Sequence, residues 1–274
     1  MTTPQPIVNG NPAAARPRSL LPQEHGAWGQ LAMPIASALL VGRPAPAALL
    51  LAAATVLAFL AHEPFLVLLG HRGKRAQGED GTRARRLVRL LLCPAVACGA
   101  AGAWLAPWPA RLALVASLAL MSIVIALVLA KRERTVPGEL TVVTTLALSG
   151  LAIALAGGAP LRVAAAVTVT WVLAFAASVF AVQVVLEHAR SRGGRGSAVR
   201  NALAAVLVTG LGSGAAVRAG LGWVVPVAVA PPALLSVAVC LANFSPKHLR
   251  RLGWSLVAAT STTLLVLAIG LRAP

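Results

Sequence analysis

Several short runs in this sequence combine residue types that could do acid/base, metal or phosphate chemistry. The first is His62-Glu63-Pro64. It precedes the apolar Phe65-Leu66-Val67-Leu68-Leu69, which sets Glu63 about six residues, or roughly 9 Å, inside the end of an apolar segment. A carboxylate at that depth is costly to keep charged, and ionisable groups inside a membrane are functional candidates by default. Pro64 withholds a backbone donor and tends to kink a helix, making room for polar groups. His62 is an acid/base candidate. The structural alternative is a Glu63 that snorkels or pairs with a nearby Arg.

The second run is Gln183-Val184-Val185-Leu186-Glu187-His188. Gln183 and Glu187 are four apart and share one helical face. Two oxygen-bearing side chains one turn apart could reach a divalent cation, although one of them is a neutral amide. The third, Glu24-His25-Gly26-Ala27-Trp28, joins an acid and a histidine to an aromatic of the kind that anchors helices at the headgroup level.

Basic residues accompany these acids. Between His71 and Arg89 lie seven Lys and Arg residues, Arg72 and Lys74 among them, with Glu79 and Asp80. This segment reads either as a solvated loop touching anionic lipid or as an anion site whose Arg forks suit phosphate oxygens. Lys131-Arg132-Glu133-Arg134-Thr135 places further positive charge at the carbonyl end of a helix. Gly210-Leu211-Gly212-Ser213-Gly214 looks like a phosphate loop but sits inside an apolar span, where close helix packing through small residues is the better reading. Cys93, Cys98 and Cys240 have no metal or disulfide spacing.

The elements that must position these groups are membrane helices. Of 274 residues, 58% are hydrophobic and 11% charged, and the mean hydropathy is +0.82. A soluble domain carries about 25% charged residues, so a soluble enzyme is excluded. Spans of about 20 apolar residues are predicted near 26–43, 46–69, 87–106, 110–130, 138–156, 162–186, 202–218, 222–243 and 252–271. The fold class is an all-α polytopic bundle of about nine transmembrane helices over residues 23–274. Residues 1–22, polar and without an apolar core, read as a disordered cytoplasmic tail.

The net charge of +17 would suit nucleic acid, but the basic residues form short clusters between apolar runs, and nucleic-acid binding is excluded on that pattern. With nine spans, Arg43, Arg111, Arg162, Arg218 and Arg272 fall on one side and the other 19 of the 24 Lys and Arg on the opposite one. The positive-inside rule then puts the N-terminus in the cytoplasm and the C-terminus outside the cell membrane. All seven acids and all five histidines map to the cytoplasmic side, so any acid/base, metal or diphosphate chemistry belongs there.

Two resemblances follow from these residues. Pro22-Gln23-Glu24-His25-Gly26-Ala27-Trp28, with His62-Glu63-Pro64, resembles the YwiC-like family of bacterial multipass membrane proteins, over most of residues 20–271. The layout also resembles the UbiA superfamily of intramembrane prenyltransferases, in which two acidic motifs, on the second and sixth helices, hold Mg²⁺ against a prenyl diphosphate. His62-Glu63 stands where the first motif would be, and Gln183 with Glu187 where the second would be. Lys131-Arg132-Glu133-Arg134-Thr135-Val136-Pro137 resembles the basic connection of that superfamily.

By that resemblance Glu63 and Glu187 would bind metal or orient substrate. Arg72, Lys74, Lys131 and Arg132 would hold the diphosphate, with Glu24, His25, Gln183 and His188 lining the site. The chain departs from the pattern in having one aspartate, Asp80. Two bridging metals would be short of carboxylates, so either Arg and Lys neutralise the anion or the chemistry has been lost or changed. The expected partners are membrane lipid and an isoprenoid or lipid diphosphate. The alternative function is a non-catalytic accessory or lipid-binding membrane protein, with an ion-coupled transporter as the third reading.

Overall fold

The computed structural model describes residues 19–22, 25–189, 195–242 and 249–271. Most of the tail expected over residues 1–22 therefore lies outside the described residues. Nine helices are described: α1 (His25–Val41), α2 (Pro46–Leu68), α3 (Lys74–Leu105), α4 (Trp108–Leu129), α5 (Val136–Ala156), α6 (Leu161–Ala189), α7 (Arg195–Arg218), α8 (Val224–Leu241) and α9 (Leu249–Gly270). The described residues contain no strand. Eight of these helices are long and apolar enough to cross a bilayer. The apolar stretch of α1, Gly26–Val41, is shorter. This is a polytopic helical membrane bundle.

The largest departure from the sequence reading is the segment after α2. The basic stretch from His71 to Arg89 was expected as a loop, yet α3 begins at Lys74 and runs 32 residues, about 48 Å. Arg, Lys, Ala and Gln are good helix formers, and Arg75 pairs with Glu79 one turn on, at 2.7 Å. That carboxylate, by hydrogen bond and charge, holds the exposed Arg75 guanidinium above its ordinary pKa. Loss of hydrophobicity ends a membrane span without ending the helix. The same holds for α7, which begins at Arg195 rather than near 202.

At one end of the bundle, Ala38, Ala48, Ala110, Ala152 and Ala164 pack together from α1, α2, α4, α5 and α6. Small side chains let backbones approach closely. There the Arg43 N–H donates to the Gly157 carbonyl at 2.7 Å, and a Cβ on Gly157 would stand 2.6 Å from the Arg43 oxygen. At the other end, here termed the basic face, Leu66 of α2 and Leu69 just after it cluster with Val124 and Val128 of α4 and Val142 of α5. The connections after α2 and α4, which carry Arg72, Lys74, Lys131 and Arg132, thus leave the bundle close together.

Helix α6 is the central element and its span is the most buried of the eight long apolar ones. It packs against α5, α7 and α8, and also touches α1 and α9. Trp171 on α6 is fully buried, stacks on Phe175 with ring centres 5.2 Å apart, and donates from Nε1 to Ser37 Oγ of α1 at 2.9 Å. A buried indole N–H needs such an acceptor. Helices α3 and α4 are peripheral: α3 packs on α2, α4 packs on α5, and the two barely touch each other.

Candidate functional site

The polar groups singled out in the sequence gather at the basic face. Glu63 lies one turn before the C-terminal end of α2, and the helix continues through Pro64 to Leu68. The turn that follows folds Arg72 back over it. Arg72 Nε donates to Glu63 Oε1 at 2.8 Å and Nη2 to Oε2 at 2.5 Å, a bidentate pair with side chains 24% and 12% exposed. The reading of Glu63 as a carboxylate paired with a nearby Arg is therefore the one the structure shows. His62, adjacent in sequence, is exposed.

Glu187 is held in a comparable way from a different helix. Ser197 Oγ donates to its Oε2, Arg200 Nη2 to Oε1 at 3.2 Å, and Asn201 Nδ2 to Oε2 at 3.4 Å. All three donors come from the first turns of α7, which crosses beside the end of α6. Ser197, Arg200 and Asn201 lie at i, i+3 and i+4 on one face. The sequence reading missed them, although that spacing was a visible signal.

Gln183, one turn earlier on α6, is engaged from a different helix. It is buried and donates from Nε2 to Glu139 Oε2 of α5 at 3.0 Å. Glu139 is in the first turn of α5, where the helix dipole favours an anion. Thr135 caps that turn by accepting from the Gly138 N–H at 3.3 Å. Glu139 was also missed as a site residue. One oxygen of Glu133, in the turn before α5, is buried without a hydrogen-bond partner among the described residues.

Lys74, Lys131 and Arg132 are exposed on this face. Glu24, and the side chains of His25 and His188, lie outside the described residues. Among the described residues α2 and α6 share no contact, because α5 stands between them. Glu63 and Glu187 are thus on non-neighbouring helices, each closed by its own cation. No group of three or more His, Cys, Asp and Glu side chains that could hold a metal occurs among the described residues. A pair of Mg²⁺ ions takes oxygen ligands with free lone pairs, and the donor set here does not fit that demand.

The comparisons with known proteins bear on the first part of the chain. Residues 21–154 match the family described as YwiC-like protein. This stretch is YwiC-like. It runs from just before α1 almost to the end of α5, slightly under half of the 274 residues, and includes Glu63, Arg72, Lys74, Lys131, Arg132 and Glu139. The partners Gln183 and Glu187 lie beyond it. No curated protein and no solved structure matches the chain.

Proposed function

We propose that this YwiC-like membrane protein is a non-catalytic lipid-binding protein that holds an anionic headgroup, phosphate or diphosphate, at its basic face without metal ions. The orientation we infer places that face in the cytoplasm with the N-terminus, from the surplus of Lys and Arg there. The observation that carries this reading is the bidentate closure of Glu63 by Arg72. A carboxylate with both oxygens engaged by a guanidinium is a poor metal ligand. Lys74, Lys131 and Arg132 remain exposed on the same face, suited to phosphate oxygens.

The second reading is a divergent UbiA-like prenyltransferase, favoured by Gln183, Glu187 and Glu139 bringing three oxygen-bearing side chains to the same end of α5 and α6. One experiment separates the two. Purified protein is titrated with farnesyl diphosphate in Mg²⁺ and in EDTA, and product formation is followed with added lipid-soluble acceptors. Equal binding in both conditions, weakened about tenfold in Lys131→Ala with Arg132→Ala and without turnover, supports the first reading. Binding that requires Mg²⁺ and is lost in Glu63→Gln with Glu187→Gln would establish the second. Absence of binding in either condition overturns both.

A further inference from the structure

The opposite face carries a feature that the basic face does not explain. Between α7 and α8 lies an open groove of about 540 Å³, lined by apolar and small residues and rimmed by Arg218 and Trp223. Its α7 wall includes Gly210, Ser213 and Gly214. The Gly210–Gly214 run was expected to serve close helix packing, and only its middle glycine does so. A Cβ on Gly212 would run into Leu173 of α6. A Cβ on Gly210 or Gly214 would meet nothing within 4 Å. Glycine inside a helix costs about 0.5–1 kcal/mol relative to alanine. At these two positions the missing side chains create the hollow rather than a helix contact.

Ser213 supplies an independent sign of a ligand. Buried serines and threonines in this bundle, such as Ser117, Thr168, Ser178 and Ser236, donate to the carbonyl four residues earlier. Ser213 is 8% exposed and lines the groove, yet its hydroxyl makes no hydrogen bond among the described residues. The hydroxyl oxygen itself is not buried, the one buried side-chain oxygen without a partner among the described residues being Glu133's, so it opens onto the groove and is free to donate to an acceptor that enters it. About 7.5 Å along the helix, five residues on, Arg218 stands exposed at the rim without an ion pair among the described residues. The six described acids, Glu63, Glu79, Asp80, Glu133, Glu139 and Glu187, lie at or towards the other end of their helices, so no acidic side chain among the described residues is on hand for Arg218. Its neighbour Arg162 is committed, donating to the Gly220 carbonyl of the α7–α8 turn.

We propose that this groove is a phospholipid site in the leaflet opposite the basic face. The phosphate sits on Arg218, an ester carbonyl accepts from Ser213 Oγ, and an acyl chain lies over Gly214 and Gly210 towards Ala233. The polar layer on each side of a bilayer is about 5–8 Å deep, which matches the drop from Arg218 to Ser213. Trp223, 74% exposed at the rim, is placed as interfacial tryptophans are. An anionic headgroup complements the lone arginine, and phosphatidylglycerol is the probe that meets both requirements.

The test is native mass spectrometry of the delipidated full chain titrated with phosphatidylglycerol or with diacylglycerol of the same acyl chains. Intact protein should retain one phosphatidylglycerol at low ratios and bind diacylglycerol about tenfold more weakly. Arg218→Gln should weaken phosphatidylglycerol about tenfold and erase that preference. Ser213→Ala should cost about threefold for both lipids. Gly214→Leu, at a groove-lining position where a Cβ would meet nothing within 4 Å, should abolish retention while the thermal midpoint in detergent stays unchanged, which separates occupancy from folding. Retention unaffected by Gly214→Leu and Arg218→Gln overturns the proposal. So does equal retention of the two lipids, or disulfide cross-linking of two chains through Gly214→Cys in lipid vesicles, which would make a second copy the occupant.

Discussion

Arg72 grips both oxygens of Glu63 from a turn that begins after α2 has ended, nine residues along the chain. The pair is partly buried, so removing one member strands the other in a poorly solvated place. Glu63→Gln and Arg72→Gln should each lower stability by about 1–3 kcal/mol. Removing both should cost less than the sum, because the second change no longer breaks a contact. Thermal unfolding of the four proteins in one detergent measures this. Strictly additive losses would mean that the two side chains act apart.

Glu133 is the contrasting acid. Its buried oxygen has no partner among the described residues, so the side chain carries a desolvation cost without a compensating bond. Glu133→Ala should leave the thermal midpoint unchanged or raise it. A fall comparable to that of Glu63→Gln would show that Glu133 is bound to something in the membrane.

The glycines divide by what surrounds them. Gly212→Ala must push Leu173 aside in a packed interface and should destabilise by about 1–3 kcal/mol. Gly81→Ala, in the polar part of α3 with nothing within 4 Å of its Cβ, should stabilise by about 0.5–1 kcal/mol. Opposite shifts in the thermal midpoint are the expected result, and shifts of the same sign would contradict the packing described at Gly212.

Orientation is open to labelling. In a protein whose three cysteines are replaced by alanine, Lys74→Cys should react with a membrane-impermeant maleimide only after the cytoplasmic side is exposed. Trp223→Cys should react from outside in intact cells. The reverse pattern would invert the inferred topology.

Much of this architecture could be read from the chain because bilayer thickness fixes span length, and because tight links such as Pro107-Trp108-Pro109 leave little choice of connection. The reading failed where a helix outlasts its hydrophobicity, as at Lys74, since the span pattern reports solvent rather than backbone. At the site, Arg72 was legible as a partner for Glu63 because only nine residues separate them. Gln183 and Glu139 are 44 apart, and nothing in either segment announces the other. Their meeting depends on α5 lying against α6, a tertiary fact. The unpartnered hydroxyl of Ser213 was equally invisible, because it depends on where the serine points.

The contact of α1 with α9 also governs how this protein is made. Helix α1 precedes every other described helix in the chain, yet its neighbours include α9 as well as α5 and α6. The acceptor of the Trp171 indole, Ser37, must therefore wait inside the lipid until more than 130 further residues have been translated. The YwiC-like stretch ends at residue 154 with α1 still open on two sides. The packing of α1 is completed only by α6 and α9, both of which follow that stretch.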